Sequence, residues 1–217
     1  MRQRAFDLPV KTGFGAADFL VSDCNREAFA WIERWPDWPS PALALYGPSG
    51  SGKTHLAHLW CERAGAVLIA GAAISGAAAA SDVAALAIDD AERAQEEPLL
   101  HRYNSALERG ATLLLTMPAP PASLLLALPD LASRLRALPV VGIAPPDDAL
   151  LGAVLIKHFA DRQIRVAPGL IAYLVARIER SFAAAASVAE RLDAAALSAA
   201  RPITIKLARE VLTEPAR

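Results

Sequence analysis

Eight residues carry the most legible chemistry in this sequence: Gly47-Pro48-Ser49-Gly50-Ser51-Gly52-Lys53-Thr54, with His55 directly behind them. They fit G-x-x-x-x-G-K-[ST] without a mismatch. A loop with so little side-chain bulk can turn its backbone N–H groups inward around a phosphate. A helix that starts at the same point adds the positive end of its dipole. In such a loop Lys53 reaches the β- and γ-phosphates and the Thr54 hydroxyl coordinates Mg²⁺. The second group is Asp89-Asp90, which closes the apolar run Val83 to Ile88. A carboxylate at the end of a buried strand can hold Mg²⁺, directly or through water, and a second beside it can polarise an attacking water. Strands often end in aspartate, so the pair gains its meaning from the intact phosphate loop upstream.

These groups need elements to hold them. Leu43 to Tyr46 reads as a buried strand feeding the loop, and His55 to Arg63 has helix-compatible spacing behind it. Further strands are expected at 67–70, 83–88, 111–116 and 139–143, with helices over 98–110 and 128–136. Asn25 is expected to cap a helix running to Arg34. Alternating short strands and helices imply a parallel sheet wrapped on both faces, with the ligand at the carboxyl ends of its strands. After Ala144-Pro145-Pro146 the pattern is purely helical. Asp147 or Asp148 caps a helix to about Arg162. Pro168 starts a second to about Glu179, Ser181 opens an alanine-rich third, and Thr204 a short last one.

Length and composition bound the rest. The 217 residues hold one sizeable domain or two small ones. A net charge of −1 supplies no global basic field for nucleic acid or membrane. The two cysteines, Cys24 and Cys61, have no metal-ligand spacing and read as reduced thiols, which fits a cytoplasmic protein. Met1 to Asp7 is polar and charged, unlike a signal peptide. Residues 64–81 are too weakly apolar for a membrane span.

The whole pattern resembles AAA+ ATPases of the DnaA-like group, most closely the Hda-type regulators. Asp18-Phe19-Leu20-Val21 followed by Asn25 is similar to the segment ahead of the phosphate loop that contacts adenine in that group. Gly47 to Thr54 with His55-Leu56 has the group's form of the loop. His101-Arg102-Tyr103-Asn104 and Glu108-Arg109-Gly110 resemble the helix after the acid pair. Leu128-Pro129-Asp130-Leu131-Ala132-Ser133-Arg134-Leu135 resembles the arginine-finger segment. The resemblance implies an α/β fold: an αβα P-loop core over about 15–143 and a helical lid over 146–217. It implies ADP or ATP with Mg²⁺ as cofactors, bound by residues 47–55, with Thr54 and Asp89 at the metal, Asp89 and Asp90 catalytic, and Arg134 acting in trans.

It also gives the tail a role. Taken alone, residues 1–14 read as a disordered tail. Beside the resemblance, Gln3, Phe6 and Leu8 look like the short peptide with which Hda-type proteins bind the sliding clamp. Two positions depart from the group. Met117-Pro118 stands where a polar or acidic γ-phosphate sensor is usual, leaving Thr116 as the nearby polar group. Ala183 stands where the lid sensor arginine is usual, with Arg180 a turn earlier and read as a solvated lid residue. Both weaken the expectation of fast intrinsic hydrolysis. The sequence ends soon after the lid, where DnaA continues into a helix-turn-helix domain. The implied function is therefore regulation: binding the polymerase clamp, reaching DNA only through it, and stimulating hydrolysis of DnaA-bound ATP. A homo-oligomer is compatible with the resemblance, and a membrane partner is not expected. Competing classes are an autonomous motor such as a helicase loader and a non-catalytic adaptor with a structural nucleotide.

Overall fold

The computed structural model describes residues 19–75 and 83–213. Five strands form one parallel sheet: β1 (Ala42–Tyr46), β2 (Val67–Ala70), β3 (Ala85–Asp89), β4 (Thr112–Met117) and β5 (Val140–Gly142). Their order is β2-β3-β4-β1-β5, with every pairing parallel. The central strands are continuous apolar runs because both faces are covered. Leu43, Leu45 and Leu114 face one cluster with helix α1 (Arg26–Glu33) and helix α2 (Lys53–Ala64). Leu86, Ile88, Leu113 and Leu115 face the opposite cluster, with Leu99 and Tyr103 of α3 (Glu96–Glu108) and Leu131 and Leu135 of α4 (Pro129–Arg136).

The last four helices are α5 (Asp148–Asp161), α6 (Pro168–Val175), α7 (Phe182–Ala199) and α8 (Ile205–Thr213). They enclose a third cluster of their own, around Leu151, Leu155, Phe159, Leu174, Val188 and Leu192. Asp147 and Ser181 cap α5 and α7 by accepting N–H groups from Leu150 and Ala184. Helix α6 stops at Val175, short of the expected Glu179. The Arg177 and Ile178 amides both turn back to the Leu174 carbonyl, and the Arg177 guanidinium lies 3.9 Å over the Tyr173 ring.

Asn25 corrects another expectation. It occupies the position before α1 but makes no side-chain bond to the helix. Instead its carbonyl accepts the Ser22 N–H at 2.8 Å and its amide donates to the Leu20 carbonyl at 2.9 Å. Buried as it is, the side chain ties down the loop that leads from Phe19 into α1.

Candidate nucleotide site

The strand order decides which side chains meet. β1 ends at the glycine loop, β3 ends at Asp89, and β4 lies between them. The Thr54 hydroxyl, in the first turn of α2, donates to the Asp89 carboxylate at 2.8 Å. The Thr116 hydroxyl donates to its other oxygen at 2.6 Å. The expected metal residues, Thr54 and Asp89, are therefore in direct contact. A hydroxyl and a carboxylate are hard oxygen donors, and Mg²⁺ takes one or two such protein groups while keeping waters and phosphate oxygens. The pair fits that ion.

Lys53 is 7% exposed, and its Nζ donates to the Gly47 and Pro48 carbonyls at 2.9 and 3.1 Å. The loop is tight. A Cβ on Gly47 would meet the Ser51 hydroxyl and the Ile143 carbonyl, and Gly50 and Gly52 both have positive φ. Ser51 Oγ is buried without a hydrogen-bond partner. Ser49 and Pro48 form the exposed rim. The His55 and Phe19 rings meet edge to face, 5.2 Å between centroids, and Phe19 also stacks on Phe29. Phe19 thus lies against the start of α2, with its ring over Gly52.

Asp90 follows in the left-handed region, φ 51°, and its side chain lies 3.8 Å from Arg93. Glu92 was not anticipated. One of its carboxylate oxygens is buried and unpartnered. Burial raises its pKa, and the Asp90 charge pushes the same way, while Lys53 and Arg93 pull it back. Its signal in the sequence is only an acid three residues after Asp89. Cys61, further along α2, is no candidate ligand: burial, then the Asp89 charge, push its thiol up to about 11.

The lid touches the loop directly. A Cβ on Gly50 would fall 2.7 Å from the Ala183 nitrogen and 2.9 Å from the Ala183 Cβ. Ala183 therefore seats the first turn of α7 on the glycine loop. Arg180 is not aimed there. It forms an exposed two-point ion pair with Asp148, at 2.9 and 3.1 Å, which agrees with its reading as a solvated lid residue. Gly50→Ala is expected to lower stability by about 1–2 kcal/mol through the left-handed backbone alone. It should also raise amide exchange across 182–186, because the lid loses its seat. Unchanged protection of that segment would show that the contact does not hold the lid.

Arg134 lies apart from these groups, exposed near the end of α4 and 3.3 Å from Asp130. Its helix is fixed by an unforeseen residue. Glu96, the first of α3, accepts the Ala127 and Leu128 N–H groups at 2.9 and 2.6 Å. Leu128 precedes α4 and has no oxygen with which to cap it, so Glu96 holds the entry from across the chain. Gln3, Phe6, Leu8 and Asp18 lie outside the described residues. Among the described residues, no cluster of three or more histidine, cysteine or acidic side chains could hold a metal, and no helix is long and apolar enough to cross a membrane.

Residues 148–212 match the family model described as the lid domain of Hda. The chromosomal replication initiator DnaA of Thermomicrobium roseum is 27% identical over 232 aligned residues. That alignment takes in 90% of this chain and 48% of the relative, so the chain spans about half the relative's length. Domain III of Thermotoga maritima DnaA superposes with a TM-score of 0.79 at 16% identity, over 94% of this chain and 98% of that one. AMPPCP-bound DnaA from Aquifex aeolicus gives 0.67 at 16% identity, over 82% and 64%. The chain thus has the fold of DnaA domain III, a five-stranded parallel core followed by helices, and its residues 148–212 match the lid domain of Hda.

Proposed function

We propose that this protein is an adenine-nucleotide-binding regulator of replication initiation, which docks on the sliding clamp and triggers hydrolysis of ATP held by DnaA. The carrying observation is the match of 148–212 to the Hda lid, in one chain with an unbroken phosphate loop. Support for the nucleotide comes from the contact of Thr54 with Asp89 and from buried Lys53. When bound, Mg²⁺ would neutralise phosphate charge beside Thr54 and Asp89. Lys53 would turn from the Gly47 and Pro48 carbonyls toward phosphate oxygens. Arg134, exposed on a helix fixed by Glu96, would offer its planar donors to the γ-phosphate on the neighbouring protein. Slow intrinsic hydrolysis is expected, since Pro118 and Ala183 supply no polar side chain to this chain's own site. The test is ADP formation by ATP-loaded DnaA, with and without this protein and DNA-loaded clamp. Stimulation only when both are present supports the proposal; rates unchanged by the protein contradict it.

Docking is assigned to the N-terminal peptide. Removing residues 1–9, or changing Gln3 and Phe6 to alanine, is expected to abolish clamp binding while leaving thermal unfolding unchanged. Phe6 and Leu8 would fill an apolar groove, and Gln3 would hydrogen-bond at its edge. Equal affinity of the truncated and full-length chains for immobilised clamp would place the contact elsewhere.

A further inference from the structure

We infer that Thr116 is the positioning residue that fixes Asp89 and Asp90 as one unit. The inference rests on the nucleotide reading above and concerns the geometry of the same site. Thr116 is fully buried. β4 runs between β3 and β1, and its Thr116 is level with Leu45 of β1. It is thus the side chain at the end of β4 that reaches the end of β3. Its hydroxyl does two things at once. It donates to Asp89 Oδ1 at 2.6 Å and accepts the Asp90 N–H at 2.9 Å. With Thr54 donating to Oδ2, the Asp89 carboxylate is gripped at both oxygens, which sets its plane.

The same hydroxyl sets Asp90. That residue holds a left-handed backbone, a region that aspartate enters more readily than most L-residues but still sparsely. Such a conformation persists only where the surroundings impose it. Thr116 holds the Asp90 peptide from its N–H side. Gly71, just after β2, lies against the Asp90 carbonyl so closely that a Cβ there would collide with it. The Asp90 backbone is clamped between two neighbouring strands' ends. Side chains at 117 and 118 have no part in this: Met117 is buried in the core and Pro118 has no hydroxyl or amide to offer. One threonine therefore links the place where Mg²⁺ would sit to the direction in which the second acid points.

The experiment compares Thr116→Val, which keeps shape and removes the hydroxyl, with Thr116→Ser, which keeps the hydroxyl. Affinity for a fluorescent ADP is titrated with and without Mg²⁺, and exchange of the Asp90 amide is followed without nucleotide. Thr116→Val should lose at least tenfold of the Mg²⁺-dependent gain in affinity, change Mg²⁺-free affinity less than twofold, and speed Asp90 exchange at least tenfold. Thr116→Ser should restore all three toward the parent. Parallel loss of both affinities with a lowered melting temperature would mean a purely structural role and overturn the inference. So would unchanged Asp90 exchange in Thr116→Val, a result read without any nucleotide. A parent protein that binds no nucleotide in either condition would instead overturn the nucleotide reading, and with it the metal-linked half of this one.

Discussion

Lys53→Ala is expected to abolish binding of a labelled adenine nucleotide. The ammonium is held under the loop by the Gly47 and Pro48 carbonyls, 2.9 and 3.1 Å away, where two phosphate groups would compete for it. Hydrogen bonds to charged groups contribute about 1.5–3 kcal/mol each, so losing two weakens binding by roughly two to four powers of ten. Alanine is a strong helix former, and α2 should survive the change, which circular dichroism can verify. Thr54→Ala is expected to reach a similar loss in Mg²⁺ buffer, since Asp89 keeps only its Thr116 bond. Undiminished binding by both variants in a fluorescence titration would refute the site.

Much of this arrangement is legible in the amino-acid sequence. Runs such as Leu43 to Tyr46 and Leu113 to Thr116 are long enough and apolar enough to be buried strands, and the glycine loop between strand and helix has few other physical readings. Asp147 and Ser181 behave as caps because their side-chain oxygens sit where a helix leaves free N–H groups. Asn25 has the same chemistry but spends it on Ser22 and Leu20, a choice set by the path of the preceding loop. The contacts that were not legible all cross long stretches of sequence. Glu96 holds the entry to a helix some thirty residues away. Gly50 meets Ala183 only once the lid has folded over the core. Thr116 joins Asp89 and Asp90 only because β4 is inserted between β3 and β1. No local pattern encodes a strand order, so such partners emerge with the topology.

The second large effect concerns a residue that touches none of these groups. Arg134→Ala is expected to leave nucleotide binding, clamp binding and folding unchanged, because the side chain is exposed and the acid it meets, Asp130, lies on the same helix. Exposed pairs of that kind contribute about 0–1 kcal/mol. What should disappear is stimulation of DnaA-bound ATP hydrolysis, since an arginine supplied in trans is worth about 10³–10⁵ in rate. Arg134→Lys should fail as well, because a compact ammonium cannot reproduce the planar fork of donors. Arg136→Ala should be far milder.

The most direct measurement is therefore the rate of ADP formation when the parent protein, Arg134→Ala, Arg134→Lys or Arg136→Ala is titrated into ATP-loaded DnaA with DNA-loaded clamp. Strong stimulation is expected from the parent and from Arg136→Ala, and none from either Arg134 variant. Full stimulation by Arg134→Ala would contradict a role for that guanidinium in trans.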